Sequence, residues 1–407
     1  MGIFANEALN ECNPKWETAV HRIDELYKKK EDMRSEFERD YTRILHSESY
    51  RKLKHKTQVF FETQNDLVCT RIEHVNHVES VSTTIAKSLG LNRDLTSAIA
   101  IGHDLGHAPF GHEGENVLSN LLKQYTGEEF WHEKNGLRVV DCLDLLEDSS
   151  RCMRTLCLTY AVRDGIISHC GEVNDTTLFP RDEPIDLKDF KRRVTRPFTW
   201  EACVVKLSDR IAYVGRDIED AKRLRILSMP QLFELKKIAR KYGMNTLNTT
   251  TLIHDLITDV CKTSTPERGI CTSAKMSELL IEIKDFNYRH IYANNRLEIY
   301  RRYVKLVIES IFFLLLEYYD GENTIRNIRR AKYYPMLSKG FSVWLAHRSS
   351  IDLTDYEWSK TLQRRCLNKK IYKKLETKEL YINAIIDFIS GMTDSYAIRV
   401  FNELCRF

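Results

Sequence analysis

Apolar positions recur along this chain at three- and four-residue intervals, the spacing of one face of an α-helix. Val78, Val81, Ile85 and Leu89 follow that rule, and Gly90 after them marks a C-terminal stop. Leu95 to Asp104 reads as a second, almost wholly apolar helix, in which Ala98-Ile99-Ala100-Ile101-Gly102 runs into His103-Asp104. Pro109 and Gly111 then break the chain, and a third helix is predicted to start near Glu113. Longer helices are predicted over Trp200–Leu224, Leu279–Tyr292, Glu298–Tyr319 and Tyr381–Leu404. Sustained period-two alternation is almost absent. The expected class is therefore all-α, mainly helical. Two stretches read as loops: Gly171 to Thr199, with three prolines and the basic run Lys191-Arg192-Arg193, and Lys262 to Thr272, polar with Pro266 and Gly269.

Composition narrows the classes. A chain of 407 residues that is 43% hydrophobic fits one large domain or two intimate ones with a substantial core. A formal charge of +4, with neither half extreme, argues against a protein built mainly to coat nucleic acid. The 11 cysteines are scattered without a Cys-x-x-Cys pair, which reads as reduced thiols rather than a disulfide frame or zinc ribbon. Met1 to Thr18 lacks the apolar stretch of a signal peptide. The run Ile311 to Leu316 is far shorter than the ~20 residues of a membrane span. The expectation is a soluble, cytoplasmic protein with no membrane partner. No P-loop is present, because the glycines at 106, 111 and 114 lack the Gly-Lys-Ser/Thr ending.

Chemistry concentrates between His103 and Glu115, where three histidines and three acids follow one apolar helix. Burying a carboxylate costs several kcal/mol or more unless it is paired or bound to metal. Imidazole and carboxylate together suit first-row divalent ions. Upstream, Thr70-Arg71-Ile72-Glu73-His74 adds a histidine; downstream, Lys206 to Tyr213 adds Asp209. Two histidines and two aspartates would then converge from three helices. Such a set leaves about two positions of an octahedral ion open to water and a substrate oxygen. On a wheel of Trp200–Leu224, Asp209, Tyr213, Arg216, Asp217 and Asp220 share one stripe, and Leu207, Ile211, Val214 and Ile218 the opposite one. From periodicity alone, a cleft-facing stripe and a merely solvated one are equally good readings.

These motifs, in this order, resemble the HD-domain deoxynucleoside triphosphate triphosphohydrolases, the dGTPase group. The resemblance is carried by Arg39 to Ser47 with Arg51 and Lys56-Thr57-Gln58-Val59-Phe60, by Thr70 to His74, by His103 to Glu115, by Glu201 to Asp220, and by Asp387 to Ala397. It spans about Arg34 to Leu404. It implies an HD-domain phosphohydrolase fold with a helical C-terminal extension. The implied division is an N-terminal helical arm (1–33), a catalytic core (34–230), and a helical region (231–407) that completes the substrate pocket and makes oligomer contacts. The implied reaction hydrolyses a dNTP at the α-phosphorus to deoxynucleoside and inorganic triphosphate.

The same resemblance implies residue roles. His74, His103, Asp104 and Asp209 would hold a divalent ion: manganese, magnesium or iron(II), with zinc also compatible. Arg71, Arg210 and His132 would take the triphosphate. His112 would move the proton, Glu115 would orient it, and His107 would sit beside them and touch phosphate. Gln58 would lie near the sugar, Tyr213 would stack on its face, Asp217 would accept from the 3′-hydroxyl, and Asp394 would join the substrate contacts. A homo-oligomer, hexamer or tetramer, with an allosteric dNTP or single-stranded DNA, is the implied assembly. Two alternatives stay open: another HD-domain nucleotide phosphohydrolase or phosphodiesterase, and a nucleotide-sensing or single-strand-binding protein with secondary hydrolysis. Outside the motifs the bland reading is preferred. His77 is read as surface or supporting, His169 as structural, Lys191-Arg192-Arg193 as a solvated loop, and Cys69 and Cys203 as small buried hydrophobes.

Overall fold

Local capping signals start the helices and apolar faces pack them. The computed structural model describes residues 2–24, 32–60, 67–169, 176–244, 247–331, 333–353 and 366–406. The first part of the chain holds α1 (Trp16–Val20), α2 (Glu36–His46), α3 (Glu48–Lys52), α4 (Arg71–Leu89), α5 (Arg93–Gly102), α6 (Gly111–Thr126), α7 (His132–Arg138), α8 (Tyr160–Ser168) and α9 (Trp200–Arg223). Then come α10 (Met229–Lys241), α11 (Thr249–Thr263), α12 (Ala274–Asn287), α13 (Arg296–Glu317), α14 (Thr324–Arg330), α15 (Pro335–Ala346), α16 (Lys378–Ser390) and α17 (Asp394–Leu404). The expected mainly helical class holds.

The caps explain the boundaries. Thr70 and Glu73 form a reciprocal capping box at the start of α4, and Gly90 ends that helix at φ 85°, a conformation open to glycine. Asn92 caps α5 by accepting from the amides of Asp94 and Leu95, and Thr199 caps α9 through Ala202. The single helix predicted over Tyr381–Leu404 is two helices. Gly391 closes α16, and Thr393 caps α17 by accepting from the Tyr396 amide. The helix expected from Leu279 begins earlier, at Ala274, and ends in a π-helical turn over Tyr288–Tyr292. The two predicted loops meet in an antiparallel two-residue ladder, β3 (Thr177–Leu178) on β4 (Ile270–Cys271). The pair β1 (Leu146–Glu147) and β2 (Met153–Arg154) forms another. Residues 171–175 of the first loop lie outside the described residues.

Three apolar clusters form the core. The first joins α2, α5 and α8 through Ile44, Ile99, Ile101 and Ile166. The second takes Leu207, Ile211, Val214 and Ile218 of α9, the predicted apolar stripe, with Leu256 and Ile283. The third packs Leu118 and Leu121 of α6 on Val304, Ile308 and Ile311 of α13 and on α16. Helix α4 belongs to two of them, placing Val75 and Val78 in the first and Val81 and Ile85 in the second. Each such side chain contributes roughly 1.5–3 kcal/mol when fully buried. Among its described residues the arm expected over 1–33 has one short helix, α1, and otherwise turns and irregular chain. It is nevertheless tied down: Phe4 is fully buried, its amide donates to Leu89 O at 2.8 Å, and Arg22 pairs with Asp40 at 2.5 Å. Among the described residues no helix is long and apolar enough to cross a membrane.

One contact brings α7 to the chemistry-bearing segment. A Cβ on Gly106 would lie 2.0 Å from His132 O and 2.2 Å from Gly136 N. Only a glycine lets the loop after α5 touch the start of α7. Gly106→Ala is expected to lower stability by about 3 kcal/mol, the upper range for overpacking, measured as the urea midpoint; an unchanged midpoint would show that α7 can retreat freely.

Candidate active site

Helix α4 delivers His74 from its first turn, the end of α5 delivers His103 and Asp104, and the middle of α9 delivers Asp209. The four converge. His74 Nε2 lies 3.0 Å from Asp209 Oδ1, and His103 Nε2 lies 3.5 Å from Asp104 Oδ1 and 3.9 Å from Asp209 Oδ1. One ligand atom each from His74, His103 and Asp104 falls within 4.8 Å of the others. His103 donates Nδ1–H to Ala100 O at 2.6 Å, which fixes its tautomer and leaves Nε2 as the lone-pair nitrogen. That Nε2 is buried with no hydrogen-bond partner. Open-ended imidazole nitrogen beside two carboxylates is the donor chemistry a divalent ion requires, so the residues fit such an ion.

Arg71, also on α4, donates to Asp104 Oδ2 at 2.9 Å and is 1% exposed. Its Nε and Nη2 have no protein partner, which leaves donors for an incoming anion. Burial works against ionised Asp104, but His107, His103 and Arg71 override it and hold the carboxyl well below its ordinary range. Asp209 is likewise held low against burial by His74, His103 and His169.

A second set of side chains abuts the first. His107 Nε2 lies 3.0 Å from Asp104 Oδ1, and its ring stacks on His132 at 3.8 Å. Burial and the nearby Arg71 push the His107 pKa well down. Glu115 does orient a histidine, but chiefly a different one from that expected. It lies 2.9 Å from His132 Nδ1 and accepts the His132 amide at 3.1 Å, whereas His112 Nδ1 stands off at 3.4 Å. His132 begins α7 next to α6, a packing that spacing from His112 to Glu115 does not reveal. His112 itself is 69% exposed in its side chain, at the rim.

The polar stripe of α9 is not a solvated face. Asp217 and Asp220 are each 3% exposed, Asp220 accepts the Cys69 amide at 3.0 Å, and Arg216 donates to His77 Nε2 at 3.0 Å. His77 therefore supports the stripe. Asp217 accepts a short hydrogen bond from the Tyr292 hydroxyl, and Tyr213 packs partly buried beside the same cluster. Arg210 is half-buried one residue from Asp209. Gln58 Oε1 is buried without a partner, and the Gln58 carbonyl lies against Gly111, where a Cβ would come within 3.2 Å.

Asp394 serves the backbone. Its Oδ2 accepts the Thr57 amide at 2.9 Å and the Thr57 hydroxyl at 2.5 Å, and its Oδ1 accepts the Phe110 amide at 2.8 Å. It thus clips the Gln58 segment to the left-handed turn at Phe110, φ 65°, that opens α6. These contacts give Asp394 a positioning role. Lys56 is a second tie: fully enclosed, it donates to His107 O and to Ser390 O, and burial pulls its pKa down to about 7.

The HD domain family model matches residues 71–214, which takes in every metal-ligand candidate above. A deoxyguanosinetriphosphate triphosphohydrolase-like protein of Clostridium tetani is 32% identical over 92% of this chain and 86% of its own length. Like-named proteins of Caldanaerobacter subterraneus and Pelagibacter ubique are 30% and 32% identical, over 92% and 90% of this chain and 86% and 92% of theirs. The chain belongs to this deoxyguanosinetriphosphate triphosphohydrolase-like family of HD-domain proteins.

Family membership makes the protein a hydrolase. Several residues of the family-like N-terminal segment are structural: Asp40 is fully buried on Arg22 and Thr159, and Arg43 donates to Leu156 O and Thr155 O. Sequence reading passed over Tyr292, whose distance along the chain hid its contact with Asp217, and treated His169 as structural. His169 is 2% exposed and meets the His103 ring edge-on at 4.9 Å. Burial, with His103 and His132 beside it, lowers its pKa to about 4. The Lys191–Arg193 run is exposed, but Arg192 reaches Glu133 at 3.5 Å and lies over Trp131.

Asp217 gives a pH signature. Burial raises its pKa from 3.8 to about 6 despite the Tyr292 hydrogen bond. A carboxyl raised on folding favours the folded state fully below its unfolded pKa and withdraws that contribution as pH rises through the folded value. Asp217→Asn in the metal-free protein is therefore expected to gain stability over wild type from about pH 4 upward, levelling above about pH 6. Urea unfolding across that range checks it; a difference independent of pH would remove Asp217 as the cause.

Proposed function

We propose that this protein hydrolyses deoxynucleoside triphosphates, dGTP first among them, to deoxynucleoside and inorganic triphosphate, with a divalent ion held by His74, His103, Asp104 and Asp209. The observation that carries the reading is the juxtaposition, through Asp104, of a metal-ligand set with a histidine–carboxylate set and a buried, partly unpartnered arginine. The names of the relatives supply the nucleotide class. When bound, the ion polarises the α-phosphate and lowers the pKa of a water.

The chain's own residues then divide the work. Arg71 uses its free N–H groups on phosphate oxygens, with Arg210 and His132 beside it. The water oxygen bonds to the α-phosphorus, the bond from phosphorus to the 5′ oxygen breaks, and His112 gives the departing 5′ oxygen its proton. Glu115 holds His132 and, more loosely, His112. His107 sits between the two sets and touches phosphate. Gln58 Oε1 accepts from a sugar hydroxyl, Tyr213 covers the sugar face, and the Asp217–Tyr292 pair takes the 3′-hydroxyl. A wall this close excludes a ribose 2′-hydroxyl by sterics.

Incubating the protein with each of the four dNTPs and manganese, then separating the products, is the direct test. Deoxynucleoside and triphosphate are expected; pyrophosphate with monophosphate, or equal turnover of GTP and dGTP, would overturn the reading. Asp209→Ala is expected to lose bound metal and activity together, read by elemental analysis. His112→Ala is expected to keep its metal and lose roughly 10²–10⁴-fold in kcat. Because Glu115 grips His132 more closely than His112, Glu115→Ala is expected to raise KM as well as lower kcat. A pure kcat loss in that variant would return Glu115 to serving His112 alone.

A further inference from the structure

Helix α12 does not stop at Asn287 but runs on as the π-helical turn Tyr288–Tyr292. Such turns are rare and concentrate at functional sites. This one presents Tyr292, whose hydroxyl donates to Asp217 Oδ2. Left alone, a chain favours the α-helix over this geometry, so the turn persists because outside groups hold it. Asn287 donates to Val214 O at 3.2 Å at one end, and Arg301 of α13 donates Nη2–H to Tyr292 O at 2.6 Å at the other. Arg301 has a second grip. Its Nε–H donates to Glu113 Oε1 at 2.9 Å, and its Nη1 reaches Glu298 on its own helix at 3.4 Å. Glu113 follows His112 in the first turn of α6. The residue before Arg301 holds the same turn, since the Tyr300 hydroxyl donates to Phe110 O at 3.2 Å. Consecutive residues of α13 therefore hold the chain on both sides of His112, and one of them also holds Tyr292.

We propose that Arg301 is the positioning residue that sets the separation between the Asp217–Tyr292 pair and His112, and through it the preference for deoxyribose over ribose. The proposal rests on the roles given above to Asp217, Tyr292 and His112. The 3′-hydroxyl and the 5′ oxygen belong to one sugar, so the groups that meet them must stand at a fixed distance. Arg301 joins the two sides through one planar group. A guanidinium directs its N–H groups in a rigid fork, whereas a lysine ammonium is a point charge on a flexible stem. With its carbonyl held, Tyr292 keeps its ring beside Asp217 as a wall against the sugar. Once released, the π-turn relaxes and the wall retreats, which makes room for a 2′-hydroxyl. Both ends of the bridge are partly solvated, with side chains 36% exposed at Arg301 and 29% at Glu113, so neither single replacement strands a charge in the core.

The test compares kcat and KM for dGTP and for GTP, with manganese, in wild type, Arg301→Ala, Arg301→Lys and Glu113→Ala, each checked by its urea midpoint. Arg301→Ala is expected to raise KM for dGTP, to lower kcat, and to cut the dGTP-over-GTP ratio of kcat/KM about tenfold, within the range that pocket shape alone supplies. Arg301→Lys is expected to follow it, because charge without the fork does not restore the bridge. Glu113→Ala leaves Arg301 on Tyr292 O, so it is expected to keep the sugar preference and lose mainly kcat. An equal fall for both nucleotides in Arg301→Ala, or full rescue by lysine, would overturn the proposal and leave the reaction standing. Should the Arg301 variants fail to fold, Glu113→Ala decides: wild-type kcat in that variant overturns the bridge. A wild type that hydrolyses neither nucleotide, or both alike, overturns the reaction reading and this proposal with it.

Discussion

A carboxylate buried at the end of an apolar helix is the constraint on which the centre of this molecule depends. Asp104 is 3% exposed and follows Ala98 to Gly102, a segment with no polar side chain. Ionised and alone there, it would cost several kcal/mol or more. The neighbouring elements answer that cost. Helix α4 brings Arg71 to one oxygen, the turn after α5 folds His107 back onto the other, and His103 stands beside them. The same charges that keep Asp104 ionised make it a ligand. Stability and chemistry are therefore carried by one group.

That arrangement holds only if three apolar clusters keep register with one another. The ties between them are polar and buried. Asp394 at the start of α17 holds the Thr57 and Phe110 backbones, Lys56 joins the His107 and Ser390 carbonyls, and Asp387 accepts from Arg138 at 2.6 Å and Tyr372 at 2.5 Å. Each fixes a segment that carries site residues to the C-terminal helices. Phe110 holds a left-handed backbone that costs a non-glycine residue about 1–3 kcal/mol. It persists because Asp394 takes its amide and Tyr300 donates to its carbonyl at 3.2 Å. The C-terminal helices thus shape the site without supplying the first set of ligands.

Much of this was legible in the residues themselves. Helix periodicity located α4, α5, α9 and α13 because each buries one face, and a face leaves a 3.6-residue imprint on the chain. The crowding of histidine and acid after an apolar run marked the site, while the caps Thr70, Asn92 and Thr199 emerged with the structure. The break between α16 and α17 was harder, since apolar residues continue across Gly391 and only the Thr393 cap separates the helices.

By itself the sequence determined the helical class, the segments that bring His74, His103, Asp104 and Asp209 together, and the family those segments resemble. Tertiary structure alone decided which partners lie across space. It turned the polar stripe of α9 inward onto α4, moved the grip of Glu115 from His112 to His132, and set Tyr292 on Asp217. It made Asp394 a backbone clip and aimed His169 beside His103. The physical reason is range. Periodicity and caps record interactions a few residues apart, whereas these contacts join groups from 17 to 337 residues apart, placed by how helices pack and by glycines such as Gly106 that let them touch.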